Sequence, residues 1–222
     1  MPRTKLKKMK SLASLPNVLE KPDKVQGNWR IRHFKNDHPI TLELACGKGE
    51  YTIELARRFP SRNFVGVDIK GARLWRGAKR ALALNLKNAM FLRIKIDDIT
   101  EFFANSEVDE IWLTFPDPYP KSTRGNRRLT SPKYLDLYRQ ILRPHGFIHL
   151  KTDNPSLYFF TLDVLRLQGV VLTAFEDVHS QNLCDDTLAI QTTYEKRFLA
   201  KGVTIKYLKF SLNQAGPAPN DP

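Results

Sequence analysis

Two glycines and several acidic residues are spaced in the first half of the chain as in a nucleotide-binding site. Glu43 precedes the segment Ala45-Cys46-Gly47-Lys48-Gly49, whose small residues permit the tight turn that a backbone makes beneath a bound ligand. Asp68 follows about 20 residues later, where a carboxylate can accept hydrogen bonds from both hydroxyl groups of an adenosine ribose. The third glycine of the Gly-x-Gly-x-x-Gly pattern is missing, which disfavours an NAD-dependent oxidoreductase.

Further acidic residues extend this candidate site. Glu43 is charged within an apolar run, and its carboxylate suits either the ammonium group of a methionine moiety or the amide groups of the loop. Asp97 and Asp98 follow a third apolar run, where one of them can meet an adenine amino group. For Asp98 a helix cap is the alternative, because a short helix is expected directly after it.

A proline-rich segment carries the residue best placed for catalysis. Asp117 lies between Pro116 and Pro118, and this restricted backbone holds its carboxylate in one place. The alternative is a rigid loop in which the carboxylate only satisfies nearby amides. Basic residues follow with no acidic residue among them, which predicts a loop that binds phosphates beside the site; they are Lys121, Arg124, Arg127, Arg128 and Lys133.

Alternating apolar runs and helical segments predict the framework that positions these residues. This alternation is typical of parallel βαβ units, whose strands end at one edge of the sheet. The last two apolar runs are too close for another such unit and predict an antiparallel pair. The fold class is therefore α/β, a Rossmann-like, doubly wound, mainly parallel seven-stranded sheet with an antiparallel edge strand. Strands are predicted at 40–45, 63–68, 91–96, 110–115, 147–151, 170–175 and 203–210, and helices at 50–58, 70–86, 133–142 and 155–167.

Composition limits the classes of partner and location. The chain has 222 residues and a formal net charge of +13, which favours a polyanionic partner without choosing among RNA, DNA and an anionic membrane. No apolar run is long enough to span a bilayer and no signal peptide is evident, so we predict a cytoplasmic protein. Cys46 and Cys184 match no metal-ligand spacing, so we predict reduced thiols and no metal site.

One domain is predicted, with a flanking segment on each side. Residues 1–37 are rich in Lys and Arg without a sustained apolar period, which predicts a basic, partly disordered N-terminal arm. Residues 38–212 form the predicted domain. Residues 213–222 are rich in Pro, Asn and Gly and are predicted to be a disordered tail.

Three stretches resemble the bacterial tRNA (guanine-N7)-methyltransferases of the TrmB family. They are the loop at 42–49, the segment 115–121 with Asn126-Arg127-Arg128-Leu129, and Thr192-Thr193-Tyr194-Glu195-Lys196-Arg197-Phe198. The first is shared by many methyltransferases, whereas the second and third together are specific. The chain differs from the family pattern at Ala45, where Gly is usual, at Tyr119, where Trp is usual, and at 193–194, where Lys-Phe is usual.

The resemblance implies a class I methyltransferase that uses S-adenosyl-L-methionine to methylate N7 of guanine-46 in the tRNA variable loop. It implies tRNA as the partner, neither DNA nor a membrane, and leaves open whether the chain acts as a monomer or a homodimer. It implies cofactor contacts from Glu43, Gly47, Gly49, Asp68, Asp97, Asp98 and Asp117, and target contacts from Lys121, Asp153, Thr192, Thr193, Tyr194 and Glu195. For Asp153, too, a helix cap is the alternative.

Two other classes of function remain as alternatives. The order Asp117-Pro118-Tyr119 is similar to the acidic-Pro-Pro-aromatic loop of methyltransferases that modify exocyclic amines, although Pro120 follows the aromatic residue here. A non-catalytic RNA-binding module with the same fold would need none of the acidic residues. The presence of Glu43, Asp68 and Asp117 therefore favours an enzyme.

Overall fold

A single mixed sheet with helices on both faces organises the protein. The computed structural model describes residues 11–23, 25–181 and 185–212. Within them the strands are β1 (Val18–Glu20), β2 (Ile40–Leu44), β3 (Asn63–Val67), β4 (Ala89–Arg93), β5 (Val108–Thr114), β6 (Leu142–Thr152), β7 (Gly169–Phe175) and β8 (Lys206–Leu212). The α-helices are α1 (Glu50–Arg58), α2 (Gly71–Ala83), α3 (Pro132–Ile141), α4 (Pro155–Gln168) and α5 (Thr193–Leu199).

The strand order is β1-β4-β3-β2-β5-β6-β8-β7. Strands β1 to β6 pair in parallel, whereas β8 is antiparallel to both of its neighbours, β6 and β7. The strand direction and the antiparallel pair agree with the predicted fold class. Because β2 to β5 are central and almost wholly buried, they carry apolar residues on both faces, as parallel strands covered by helices do.

Two apolar clusters lie on opposite faces of the sheet. One contains Leu135 of α3 and Leu157 of α4. The other contains Tyr51 of α1 and Leu74 of α2. This arrangement confirms the doubly wound architecture and brings the carboxyl ends of β2 to β5 to one edge.

Part of the predicted N-terminal arm belongs to the sheet and its core. Val18–Glu20 forms β1 beside β4, and this strand makes the described sheet eight-stranded instead of seven-stranded. Trp29, in a π-helix at Trp29–Phe34, is fully buried and stacks on Phe103 with ring centroids 5.0 Å apart. Residues 1–10, the tail 213–222 and Cys184 lie outside the described residues.

Other elements also differ from the prediction: β6 begins at Leu142, five residues before the predicted start, and β8 begins at Lys206, three residues after it. β4 begins at Ala89, two residues before the predicted start, and ends at Arg93. α5 occupies part of the polar segment between β7 and β8, for which no helix was predicted. Across the described ranges, no helix is both long and apolar enough to cross a membrane.

Candidate active site

A cavity of about 840 Å³ lies at the carboxyl edge of the central strands. It is lined by the loop after β2, the ends of β3, β4 and β5, and the first residues of α5. Most of the predicted acidic residues therefore meet at one place. The predicted residues that line it are Glu43, Gly47, Asp68, Asp97, Asp117, Arg127, Thr192, Thr193 and Tyr194.

The loop after β2 is held open towards this cavity. Gly47 has a φ of 59° and donates its backbone N–H to Asp68 Oδ2 at 2.9 Å. A Cβ built on Gly47 meets nothing within 4 Å, so the backbone faces open space at this point. Gly49 has a φ of 62° and precedes α1, and a Cβ there would collide with the Phe91 ring. Gly47 thus leaves space for a ligand, whereas Gly49 permits close packing below the loop.

Among the described residues, Asp68 accepts from two backbone N–H groups. Besides Gly47, its Oδ1 accepts from the N–H of Lys70 at 2.7 Å. The residue is 7% exposed, and these two hydrogen bonds fix its carboxylate to the loop and to the start of α2. Each carboxylate oxygen has a second lone pair, which leaves acceptor capacity for a ribose.

Glu43 lines the cavity, and the pKa of its carboxyl is raised towards neutral pH. Its Oε2 accepts from the Thr52 N–H at 2.8 Å and from the Thr52 hydroxyl, and its Oε1 accepts from the Thr114 hydroxyl at 2.6 Å. Burial raises the pKa of Glu43 to about 7, against the opposing effect of these hydrogen bonds. Of the two predicted roles, amide binding is seen at Thr52, while Asp68 binds the loop amide of Gly47; contact between Glu43 and an ammonium group stays a prediction.

The acidic pair after β4 divides into two environments. Asp97 lines the cavity and accepts from Lys133 Nζ and, at 3.1 Å, from the Tyr134 hydroxyl. The Lys133 hydrogen bond is the main reason that the pKa of Asp97 is lowered. Asp98 does not line the cavity and lies in the 3-10 helix Ile96–Glu101, whose N-cap is Lys95. Asp97 is therefore the member of the pair that can meet an adenine.

Asp117 is exposed at the cavity wall on a strained turn. Phe115, two residues earlier, has a φ of 50° and donates its backbone N–H to the Lys151 carbonyl at 2.7 Å. Tyr119, two residues later, has a φ of 42°. Non-glycine residues with positive φ persist where the surrounding contacts impose them, so the loop presents Asp117 in a fixed direction.

Two of the basic residues predicted to bind phosphates must be corrected, because Lys133 lies in α3 and pairs with Asp97, and Arg128 is buried. Arg128 is only 8% exposed, and its guanidinium donates to the carbonyls of Pro118 and Tyr119 at 3.0 and 3.1 Å. It also lies 4.3 Å from the centre of the Phe160 ring. Arg128 thus stabilises the Asp117 loop through hydrogen bonds to its backbone, and its buried guanidinium is not placed to contact a phosphate. Arg124, Arg127 and Lys121 are exposed, and Arg127 lines the cavity.

The late segment forms a second wall. Thr192 caps α5, since its hydroxyl accepts from the Glu195 N–H at 3.2 Å. Thr193 donates its hydroxyl to Glu50 of α1 at 2.7 Å, and Tyr194 is 55% exposed at the cavity. Glu195 is fully buried and does not line the cavity, which differs from its predicted contact with the target.

Asp153 lies just after β6 without lining the cavity. It is half-buried, and burial raises its pKa. The cap of α4 is the next residue, Asn154, whose side chain accepts from the Leu157 N–H at 2.9 Å. The helix-cap alternative for Asp153 is therefore wrong.

Several cavity residues were not found from the sequence. Thr114 anchors Glu43, Tyr134 anchors Asp97, and Arg73 and Arg197 bring exposed guanidinium groups to the wall. Arg197 follows Tyr194 by three residues, which is one turn of a helix, and recognition of α5 would have pointed to it. The other three lie on predicted elements, but only the tertiary structure brings them to the cavity.

The sheet order and the acidic cavity at its carboxyl edge define a class I methyltransferase fold. A family described as putative methyltransferases matches residues 37–208. Among solved structures, the 16S rRNA methyltransferase KamB superposes with a TM-score of 0.63 at 15% identity, covering 89% of this chain and 99% of that one.

Closer relatives identify the family. A tRNA (guanine-N(7)-)-methyltransferase of Bacteroides thetaiotaomicron is 45% identical, covering 97% of this chain and 88% of the relative. One of Christiangramia forsetii is 44% identical, covering 95% of this chain and 98% of the relative. The chain belongs to the tRNA (guanine-N(7)-)-methyltransferase family, and the resemblance seen in its three motifs is confirmed.

Proposed function

We propose that this protein transfers a methyl group from S-adenosyl-L-methionine to N7 of guanine-46 in the variable loop of tRNA. The observation that carries the proposal is that one cavity joins the acidic residues expected for the cofactor, Asp117 and the first turn of α5. The names of the Bacteroides thetaiotaomicron and Christiangramia forsetii relatives give N7 of a guanine in tRNA as their target. A cytoplasmic location, where tRNA is found, accompanies this proposal.

The cavity fits the cofactor in shape and in its polar groups. Open space in front of Gly47 allows a ligand to approach the backbone, Asp68 has acceptor capacity for a ribose, and Asp97 lies near the expected adenine. At the other side, Glu43 offers a buried carboxylate for an ammonium group. When bound, S-adenosyl-L-methionine supplies an electrophilic methyl group on a sulfonium.

The target atom determines what the protein must contribute. Guanine N7 carries an in-plane lone pair and no proton, so no strong general base is needed before attack. Alignment of acceptor and donor can supply on the order of 7 to 11 kcal/mol of the barrier. Asp117 lines the cavity, and it would orient the guanine through its N–H edge and stabilise positive charge as the ring becomes cationic.

The remaining predicted residues divide between the base and the RNA backbone. Thr192, Thr193 and Tyr194 form the wall against which the guanine would rest, and Glu195 is buried behind them. Asp153 would share the guanine edge from beside the cavity. Lys121, Arg124 and Arg127 are exposed beside Asp117 and suit the backbone phosphates.

Methyl transfer to unmodified tRNA transcripts tests the proposal. Labelled S-adenosyl-L-methionine is supplied, the RNA is digested, and the modified nucleoside is identified by mass spectrometry. N7-methylguanosine in the variable loop is expected, whereas a methylated exocyclic amine would assign the protein to the other methyltransferase class. Calorimetry with the cofactor alone separates an enzyme from an RNA-binding module, because the module would give no binding heat.

The role of Asp117 is tested by Asp117→Ala. The variant is expected to lose methyl transfer while its affinity for tRNA stays close to that of the unaltered protein, because the side chain is exposed and a carboxylate does not attract RNA phosphates. Near-normal turnover would refute the assignment. A parallel loss of tRNA affinity would move Asp117 from catalysis to binding.

A further inference from the structure

Lys151 is a buried cation to which the motifs assign no role. It is the penultimate residue of β6, and its side chain is fully buried. Its ammonium donates to the carbonyls of Leu188 and Ile190, each at 2.9 Å, and lies 2.7 Å from Glu195 Oε1. These three contacts use all three protons of the ammonium group.

The contacts of Lys151 reach both walls of the cavity. The stretch that leads into α5 contains Thr192, Thr193 and Tyr194. It is preceded by Leu188 and Ile190 and followed by Glu195, all three of which contact Lys151. On the other side, the Lys151 backbone carbonyl accepts from Phe115, where the Asp117 loop begins. The Phe115 ring stacks on Phe198 of α5 with centroids 6.1 Å apart, so the two walls also touch each other.

Glu195 depends on this cation. Its carboxylate is fully buried, and Oε1 accepts from Lys151 and lies 2.8 Å from His179 Nε2. Oε2 is buried and has no hydrogen-bond partner among the described residues. A buried carboxylate without a compensating charge is strongly unfavourable. Removal of the Lys151 ammonium would therefore displace Glu195, and with it the first turn of α5.

We propose that Lys151 is a positioning residue. Its ammonium fixes the stretch with Thr192, Thr193 and Tyr194 at the start of α5, called here the α5 wall, relative to the Asp117 loop. The guanine is thereby aligned for methyl transfer. This role rests on the proposed function, in which that wall contacts the base. Lys151 does not line the cavity, so it acts through the residues that it holds.

Lys151→Met is the informative change, since it keeps the apolar stem and removes the ammonium. A misplacement of about 1 Å lowers turnover about 100-fold, and we expect a loss of that size in kcat for tRNA methylation. The Kd for S-adenosyl-L-methionine should stay within about twofold, because the residues proposed to bind the cofactor lie on β2 to β5 and the loops that follow them. Glu195→Gln keeps the shape of the side chain and should give a smaller loss in kcat.

Asp109→Asn is the matched control for a purely structural effect. Asp109 is also buried and ion-paired, to Arg30 at 2.9 Å and to Arg143 at 2.6 Å, but it lies near the start of β5, at the edge of the sheet away from the cavity. It should lower Tm while the folded fraction keeps its kcat. Hydrogen exchange provides a readout independent of activity: residues 186–199 should lose protection in Lys151→Met and keep it in Asp109→Asn.

The outcomes are separable. Normal kcat in folded Lys151→Met, or a loss matched by Asp109→Asn at equal Tm, would overturn the positioning role. If Lys151→Met does not fold, Glu195→Gln carries the test, and unchanged kcat with unchanged exchange would have the same meaning. A wild-type protein that makes no N7-methylguanosine would refute the proposed function instead, while the exchange comparison would still report whether Lys151 holds the α5 wall.

Discussion

Cofactor binding should be linked to the ionisation of Glu43. With its pKa raised to about 7, the Glu43 carboxyl is ionised in about one-eleventh of the molecules at pH 6 and in about one-half at pH 7. An ammonium group favours the ionised form, so the Kd for S-adenosyl-L-methionine should fall about fivefold over this interval. An α-amino group has a pKa near 8 and stays mostly charged below pH 7, which keeps the interval interpretable.

Isothermal titration calorimetry measures this linkage directly. At pH 7 about half a proton should be released per cofactor bound, which appears as a dependence of the binding heat on the ionisation enthalpy of the buffer. Glu43→Gln should weaken binding at pH 7 and abolish both the pH dependence and the proton release. A Kd that is constant from pH 6 to pH 7, with no proton release, would refute the assignment of Glu43 to the ammonium group.

A rise in pH that ionises Glu43 strengthens cofactor binding but lowers the free energy of unfolding of the cofactor-free protein. Because its pKa is raised in the folded state, Glu43 contributes stability that is present below its unfolded pKa of 4.5 and is lost as the pH rises through about 7. The full loss corresponds to about 3 kcal/mol. Glu43→Gln should therefore be more stable than the unaltered protein above pH 8, which urea unfolding without cofactor would measure.

Two matched pairs of substitutions test the loops. Gly49→Ala combines a positive φ with a collision against Phe91 and should cost about 2 to 5 kcal/mol, whereas Gly47→Ala meets no neighbour and should cost about 1 to 2 kcal/mol in urea unfolding. Equal losses would contradict the packing role of Gly49. Arg127→Ala should weaken binding to all tRNAs alike and reduce the slope of log affinity against log salt by about 1. Arg128→Ala should instead lower Tm, and a selective loss of salt dependence in this variant would reverse the two assignments.

The sheet was largely predictable because its central strands are short, apolar and separated by amphipathic helices. β1 was missed because three residues, Val18–Glu20, carry no periodicity of their own and pair only because β4 offers an edge. α5 was missed because its seven residues lie in a polar segment, and its buried face includes a charged residue, Glu195. Tertiary contacts, not local pattern, determine both elements.

The site residues were predictable where a residue type at a given position in the fold usually has a single role. Carboxylates at the ends of parallel strands point to a ligand, and Glu43, Asp68 and Asp97 meet at the cavity as expected. The sequence could not separate an arginine that is exposed from one that is buried, so Arg127 and Arg128 received the same prediction. Nor could it show that Lys151 and Glu195 are paired, since 44 positions separate them in the chain.

The insertion of β8 between β6 and β7 has a consequence for synthesis on the ribosome. β7 leaves the ribosome before residues 206–212, which form its pairing partner, so its exposed apolar residues Val170, Val171 and Leu172 are produced without a neighbouring strand. The strands β2 to β5, which surround the cofactor side of the cavity, precede it in the chain. Translation therefore delivers β2 to β5 and the cavity residues that follow them before β8, and a chain stalled before residue 206 would lack the strand that joins β6 to β7.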